Sequence, residues 1–387
     1  MSRSKLLVVI ASFIITFYAF GIRYTYGMLL PEMMVELNLS NTEAGSVYTS
    51  FFILYIIFSI VVGFLSDIKS IKKIVISFLP FLGIGTFMMG LTNSYLSSLV
   101  FFGLVGVGAS IGWVPLVVWC QKTYPSRRGF VLGIVQVGCN LGWSTIGLIL
   151  PYLISAVGWR GVWMVLGLSL LIIATPITML THEQEVKTTN SYSLLNHFRS
   201  FTKVLKNKRF LIGGLSYALT SFAIMIHLTF FKAYTVFELG IEYSLATLLY
   251  GIVGIIAIAG SLFTSLYTSR IGTYYSLIIC NVMLMLGLLL ITFSTLSIAI
   301  PIIFIGVSYG MIWPLYATLV KDLFEWEVVG SVMGSWTLMC GLGLSLSSFT
   351  GGLLADIYRS YKPPYIIGSI FALTSVLLIC YLGKVKS

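Results

Sequence analysis

Residues 129–144, "GFVLGIVQVGCNLGWS", return about 200 residues later as "GSVMGSWTLMCGLGLS", residues 330–345. Gly129/Gly330, Val131/Val332, Gly133/Gly334, Cys139/Cys340, Leu141/Leu342, Gly142/Gly343 and Ser144/Ser345 coincide. Upstream, "GVGASIGWVPL" echoes "GVSYGMIWPL", and "ELNLSNTEAGSVY" echoes "ELGIEYSLATLLY". Self-similarity at a nearly constant offset means two structural halves built alike. The glycines suit close helix approach. They are not a dinucleotide fingerprint, because no strand precedes them and no acidic residue follows at the right distance.

The chain around the repeat is 58% hydrophobic and 9% charged, with a mean hydropathy of +1.00, which is the composition of an integral membrane protein. Its long apolar runs predict helices, since a membrane β-barrel shows only short alternating segments. Breaks at charge, Pro and Gly give twelve spans near 6–30, 43–65, 74–92, 96–121, 129–153, 161–181, 209–233, 243–266, 274–294, 297–320, 329–353 and 364–383. The polar segment 182–208 divides them six and six, so the domains expected are an N-terminal bundle (1–181), a linker loop (182–208) and a C-terminal bundle (209–387). Two like-oriented halves form a parallel repeat about an axis along the membrane normal, a transporter architecture. The start, "MSRSKLLVVIASFIITFYAFG", has signal-peptide features, but its apolar run continues and is read as an uncleaved first helix.

The net charge of +11 is an orientation signal and not a nucleic-acid patch. Eighteen of the 23 lysines and arginines lie at the termini, in 182–208 and in the loops on the same side. Four, Arg160, Lys232, Arg359 and Lys362, lie on the other, and Arg23 falls within a span. The bias puts both termini and 182–208 in the cytoplasm of a multi-pass cell-membrane protein. The five cysteines sit in apolar runs without CxxC or His-associated spacing, so neither disulfide nor metal is expected, and no cofactor.

Between the second and third spans, "GFLSDIKSIKKI" (63–74) resembles the cytoplasmic loop motif of the major facilitator superfamily through Gly63, Leu65, Asp67, Lys72 and Lys73, and departs from it at Ile68, Ser70 and Ile71. The runs "KTYPSRRGFVLG" and "GWRGVW" are also similar to that family, and with the repeat the resemblance covers essentially the whole chain. It implies an all-α fold of twelve transmembrane helices in two pseudo-symmetric bundles. It also implies a cytoplasmic gate, with Asp67 and Lys72 set against the eleventh helix at Gly330–Ser331, where free N–H groups and the dipole favour a carboxylate. A solvated loop carrying ordinary positive-inside charge is the alternative. The second half has Ser269 in "SLYTSRIGTYY" where the Asp would stand. Phe102 replaces an arginine common in the family's fourth helix, and "GCNLG" replaces the Gly-Pro pair of its antiporters, which weighs against a proton/drug antiporter.

By the same resemblance, helices one, four, seven and ten line a central cavity. Arg23 lies 17 residues after Leu6 and His227 17 after Phe210, so each sits roughly 25 Å up its helix. Arg23 has three readings: a ligand for a substrate anion, a side chain snorkelling past Leu30 towards the headgroups and Glu32 or Glu36, or half of an internal ion pair. Tyr26 and Gly27 share its face and suggest a cavity. His227 is either a satisfied structural histidine or a proton-coupling or substrate group. Gln136, Asn140 and Trp143 share one face, as do Tyr309, Trp313 and Tyr316. Two amides one turn apart need partners in hydrocarbon, whereas aromatics also serve as packing or as an interfacial belt.

No Asp or Glu falls within a helix core: Glu32, Glu36, Glu43, Glu238, Glu242 and Asp356 all lie at ends or in loops. A cationic substrate is therefore disfavoured. The reading is a secondary transporter that works as a monomer by alternating access on a small organic anion such as a monocarboxylate, with a proton as the possible co-substrate. "RYTYGMLLPEM" and the Pro-Ser-Arg-Arg-Gly loop look similar to the monocarboxylate and oxalate/formate porter branch. That branch also carries an arginine in its eighth helix, and 243–266 has no basic residue. The alternatives are an exporter of amphipathic compounds and, outside transport, a membrane enzyme or transporter-like sensor. An enzyme would need a converging nucleophile or metal cluster, and a sensor an appended soluble domain. Neither is visible. On a background without native cysteines, an impermeant thiol reagent should label a cysteine at Ser155 from outside the cell and spare one at Thr189; the reverse pattern overturns the charge argument.

Overall fold

The structure, a computed structural model, describes residues 3–124, 128–181, 207–293 and 298–385, and every regular element among them is helical. The first half comprises α1 (Arg3–Leu37), α2 (Asn41–Ile68), α3 (Ile71–Met89), α4 (Tyr95–Ala109), α5 (Val114–Thr123) and α6 (Arg128–Met179). The second comprises α7 (Lys208–Ala233), α8 (Tyr243–Phe293), α9 (Ala299–Leu323), α10 (Trp326–Tyr358) and α11 (Lys362–Val385). Eleven described segments are long and apolar enough to cross a membrane. One of them, Gly133–Met179, holds 47 residues. As one straight helix it would measure roughly 70 Å, about twice a hydrocarbon core. α6 instead breaks at Gly158 (φ 67°, ψ 169°), and α8 breaks alike at Gly272 (φ 80°, ψ 167°). Both values lie in the left-handed region, which glycine enters at no steric cost.

α1 departs from its expected end at Leu30. It runs through Pro31 to Leu37. A proline inside a helix forfeits one backbone hydrogen bond, but Leu29, Leu30, Met33 and Met34 around it are buried, and their packing holds the helix. Arg23 consequently lies near the middle of the span Lys5–Leu37, about 20 Å below its end and well short of the headgroups.

The repeat is a repeat of contacts. A Cβ on Gly142 would stand 2.0 Å from the Phe17 carbonyl oxygen, and one on its mate Gly343 would stand 2.2 Å from the Ala218 carbonyl oxygen. Phe17 and Ala218 are separated by the same offset as the two glycines. Thus α6 crosses α1 as α10 crosses α7, with backbones touching where the side chain is a hydrogen. Within the first half α1 packs on α6, α4 on α2 and α3, and α3 on α6; within the second α7 packs on α10 and α11, and α8 on α9 and α11. Across the halves α2 meets α10, α6 meets α8 and α1 meets α7.

Gly142→Ala or Gly343→Ala must push the crossing helices apart, at a cost of about 1–3 kcal/mol. The thermal unfolding midpoint of either purified variant should fall by several degrees, and unchanged midpoints in both would contradict the crossing.

Candidate functional site

A cavity of about 450 Å³ lies between the halves. Arg23, Gln136, Asn140, Tyr309 and Trp313 line it, joined by Phe20, Tyr55, Trp113, Tyr217, Ser261, Thr337 and the repeat-related Cys139 and Cys340. It opens towards the end that carries the termini: Gly133, on the wall, and Gly334, its mate, have no atom within 4 Å of where a Cβ would stand. At the far end the halves touch backbone to backbone. Cβ atoms on Gly27, Gly45 and Gly352 would stand 2.3, 2.0 and 2.1 Å from the carbonyl oxygens of Leu228, Ser348 and Asn41.

Polar contacts fasten that far end. Ser40 and Glu43 form a capping box that starts α2. Beside it Asp356 of α10 accepts from Asn41 N (3.0 Å), Asn41 Nδ2 (2.8 Å), Thr42 N (2.8 Å) and Thr42 Oγ1 (2.5 Å). A carboxylate at a helix N-terminus meets free N–H groups and the positive end of the dipole. Tyr361 donates to Asn41 Oδ1, and Glu238 accepts from Ser360 Oγ and Tyr361 N. Burial, then the Asp356 and Glu238 carboxylates, push the Tyr361 phenol well above its usual range, so it stays a donor. Lys232 of α7 is 0% exposed and pairs with Glu32 of α1. Glu36 accepts from Arg160 Nε at 2.8 Å and from Trp159 Nε1. Both carboxylates expected as partners for Arg23 are thus committed elsewhere.

Arg23 is 7% exposed. Its guanidinium carbon lies 4.7 Å from the Phe52 ring centroid, 5.4 Å from Tyr24 and 5.8 Å from Phe20, and Nε and Nη2 have no hydrogen-bond partner. Among the described residues no carboxylate comes within salt-bridge distance of it. The side chain neither reaches the surface nor completes an ion pair. It lines the cavity as a cation whose Nε and Nη2 are unsatisfied and covered by the protein, with aromatic faces and the neighbouring Tyr48 hydroxyl as compensation.

Asn140 Nδ2 donates to Ser261 Oγ at 3.1 Å, joining α6 to α8, and the Tyr24 and Tyr309 hydroxyls meet across the halves. Trp143 does not line the cavity. It lies behind those two tyrosines, 4.6 and 4.9 Å from their ring centroids, fully buried. Tyr26 is packing too: it donates to the Ala44 carbonyl and stacks on Phe102 at 4.6 Å. The gap expected at Gly27 is filled by the Leu228 carbonyl and the Tyr250 ring, so it is a helix crossing and not a cavity. His227 is buried away from the cavity, its Nδ1 3.4 Å from the Tyr365 hydroxyl and its Nε2 without a partner. Tyr316 joins a buried hydroxyl cluster with Ser216, Thr220 and Ser375.

Of the expected gate, Lys72 is corrected: it donates to the carbonyls of Met179 (2.7 Å) and Thr181 (2.5 Å), capping the end of α6 inside its own half. Gly330 is exposed with no atom within 4 Å of a Cβ, and Ser331 is half-buried beside it. The Asp67 side chain lies outside the described residues. Among the residues that sequence reasoning passed over, Trp113 had a visible signal: it occupies the place of Trp313 in the repeated "GWVPL" and "IWPL" runs.

Removing one partner of a buried ion pair costs about 3–5 kcal/mol, so Lys232→Met should release the far end. The distance between spin labels at the exposed positions Val157 and Tyr358 should lengthen in the variant; an unchanged distribution would show that the pair fastens nothing.

Known proteins share this architecture. The model of the Major Facilitator Superfamily matches residues 12–348. A hexuronate transporter of Bacillus subtilis is 23% identical over an alignment covering 97% of this chain and 94% of that protein. A cis,cis-muconate transport protein of Acinetobacter baylyi is 24% identical, covering 84% and 82%. The crystal structure of a bacterial homolog to the human lysosomal transporter Spinster, inward-facing and occupied, superposes with a TM-score of 0.83 at 13% identity over 99% of this chain and 98% of that one, a likeness of fold. With the family match running from the first helix into the tenth, the chain is a membrane transport protein of the Major Facilitator Superfamily.

Proposed function

We propose that this transporter carries a small organic anion, best a monocarboxylate, by alternating access between twelve crossings arranged as two six-helix bundles, residues 1–181 and 209–387. The observation that carries the reading is Arg23: a buried guanidinium on the wall of the central cavity, with Nε and Nη2 unpartnered. A carboxylate satisfies two such donors at once through parallel hydrogen bonds. The hexuronate and muconate relatives are named for carboxylate cargo, which supports the class.

The charge bias places the termini and 182–208 in the cytoplasm, so the open mouth faces inward and the Asp356 and Lys232–Glu32 contacts seal the outer side. Asp356 fastens one end of the α2–α10 pair. Asp67, at the other end of α2, and Gly330–Ser331, at the other end of α10, are the elements to close the inner side. Rocking this pair exposes the cavity to each side in turn. The aromatic walls by themselves suit an exporter of amphipathic compounds, and the two readings differ in their demand on Arg23.

Arg23→Lys should keep part of the affinity for acetate and other monocarboxylates, since the charge remains while the two-pronged geometry is lost. Arg23→Gln should lose roughly ten- to hundredfold, because a charge-assisted hydrogen bond contributes about 1.5–3 kcal/mol. Calorimetric titration of folded, purified variants measures this. Equal affinity across Arg, Lys and Gln would refute the anion site.

A further inference from the structure

Trp113 and Trp313 line the cavity from opposite halves of the molecule, at equivalent places in the repeat. Each stands beside a proline-marked stretch of its helix, but only Trp113 sits on irregular backbone. Trp113 follows the 3-10 turn Ser110–Gly112 and has neither helical nor extended backbone (φ −133°, ψ −75°), with Pro115 opening the next helix. Trp313 directly precedes Pro314 inside α9. Irregular backbone at membrane depth is tolerated where it lines a cavity, as at Trp113, while the continuous helix α9 presents Trp313 from the opposite wall.

These two indoles differ from the fully buried tryptophans Trp119, Trp143, Trp163 and Trp336. Each is only half-buried, and the remainder faces the cavity. Each is also held by neighbouring rings. Phe20 meets Trp113 edge-on at 6.4 Å, while Tyr217 and Tyr309 meet Trp313 edge-on at 5.9 Å. Braced aromatic side chains lose little entropy when a flat ligand stacks on them.

Charge narrows the ligand further. Among the described residues lining the cavity, Arg23 is the sole ionisable cation and no carboxylate stands with it. A phosphate dianion or a dicarboxylate would bring a second charge with no partner. A sugar acid would bring a ring of hydroxyls, but one of the two wall amides, Asn140, is already turned to Ser261. We infer that the cargo is a monocarboxylate with a flat aromatic or conjugated body, its carboxylate on Arg23 and its π-face against Trp113 and Trp313. This rests on the reading of Arg23 as the anion site.

Calorimetric titration of the purified full-length chain with benzoate, cyclohexanecarboxylate, acetate and glucuronate tests it. Benzoate should bind about three- to tenfold tighter than cyclohexanecarboxylate, which matches it in carbon number but is not flat, and tighter again than acetate. Trp113→Leu and Trp313→Leu should abolish the benzoate preference over cyclohexanecarboxylate, while the Trp→Phe variants retain most of it. If a leucine variant does not fold, the wild-type ratio of benzoate to cyclohexanecarboxylate decides by itself. Equal binding of those two, or a preference for glucuronate, overturns the flat-ring inference while the anion site stands, provided Arg23→Gln weakens whichever binds. If no carboxylate binds the wild type, both fall.

Discussion

A guanidinium held in the membrane interior costs several kcal/mol unless water, a counter-ion or hydrogen bonds compensate it. Arg23 has no carboxylate partner among the described residues and leaves two N–H groups free, so its charge depends on what fills the cavity. On the proposed reading, an anion bound in the cavity supplies the compensation that the protein does not. A binding group whose satisfaction differs between open and closed arrangements is what lets a ligand shift the balance between them.

The far end shows the opposite condition. Its charged groups are paired within the protein: a carboxylate at a helix terminus, a capping box beside it and a buried lysine with its glutamate, with backbones in direct touch at three glycines. α2 and α10 take part in this end, fastened to each other by Asp356. Thr49 Oγ1 also donates to the Ser345 carbonyl at 2.8 Å along the same pair.

The fold was legible where one residue type at one spacing has a single physical use. Gly142 and Gly343, read as small residues for close approach, are the points where α6 meets α1 and α10 meets α7. The composition likewise sufficed for membrane helices. Sequence reasoning erred where tertiary packing overrides local signals. Pro31 reads as a stop, but buried neighbours carry the helix through it, and this moved Arg23 from near the interface to mid-helix. Tyr26 and Gly27 share a face with Arg23, yet whether a face meets a cavity or another helix depends on a crossing 200 residues away in sequence, which periodicity cannot see. Glu32 was offered to Arg23 by proximity along the chain and pairs instead with Lys232 of the other half, while Lys72, set against the eleventh helix by resemblance, caps α6 of its own half.

The central claim is that the cavity selects negative charge. Uptake into proteoliposomes of a labelled small organic anion, compared with a labelled organic cation of similar size, tests it most directly. The account predicts saturable uptake of the anion and none of the cation above the level of protein-free vesicles. Transport of the cation, with the anion excluded, would contradict it.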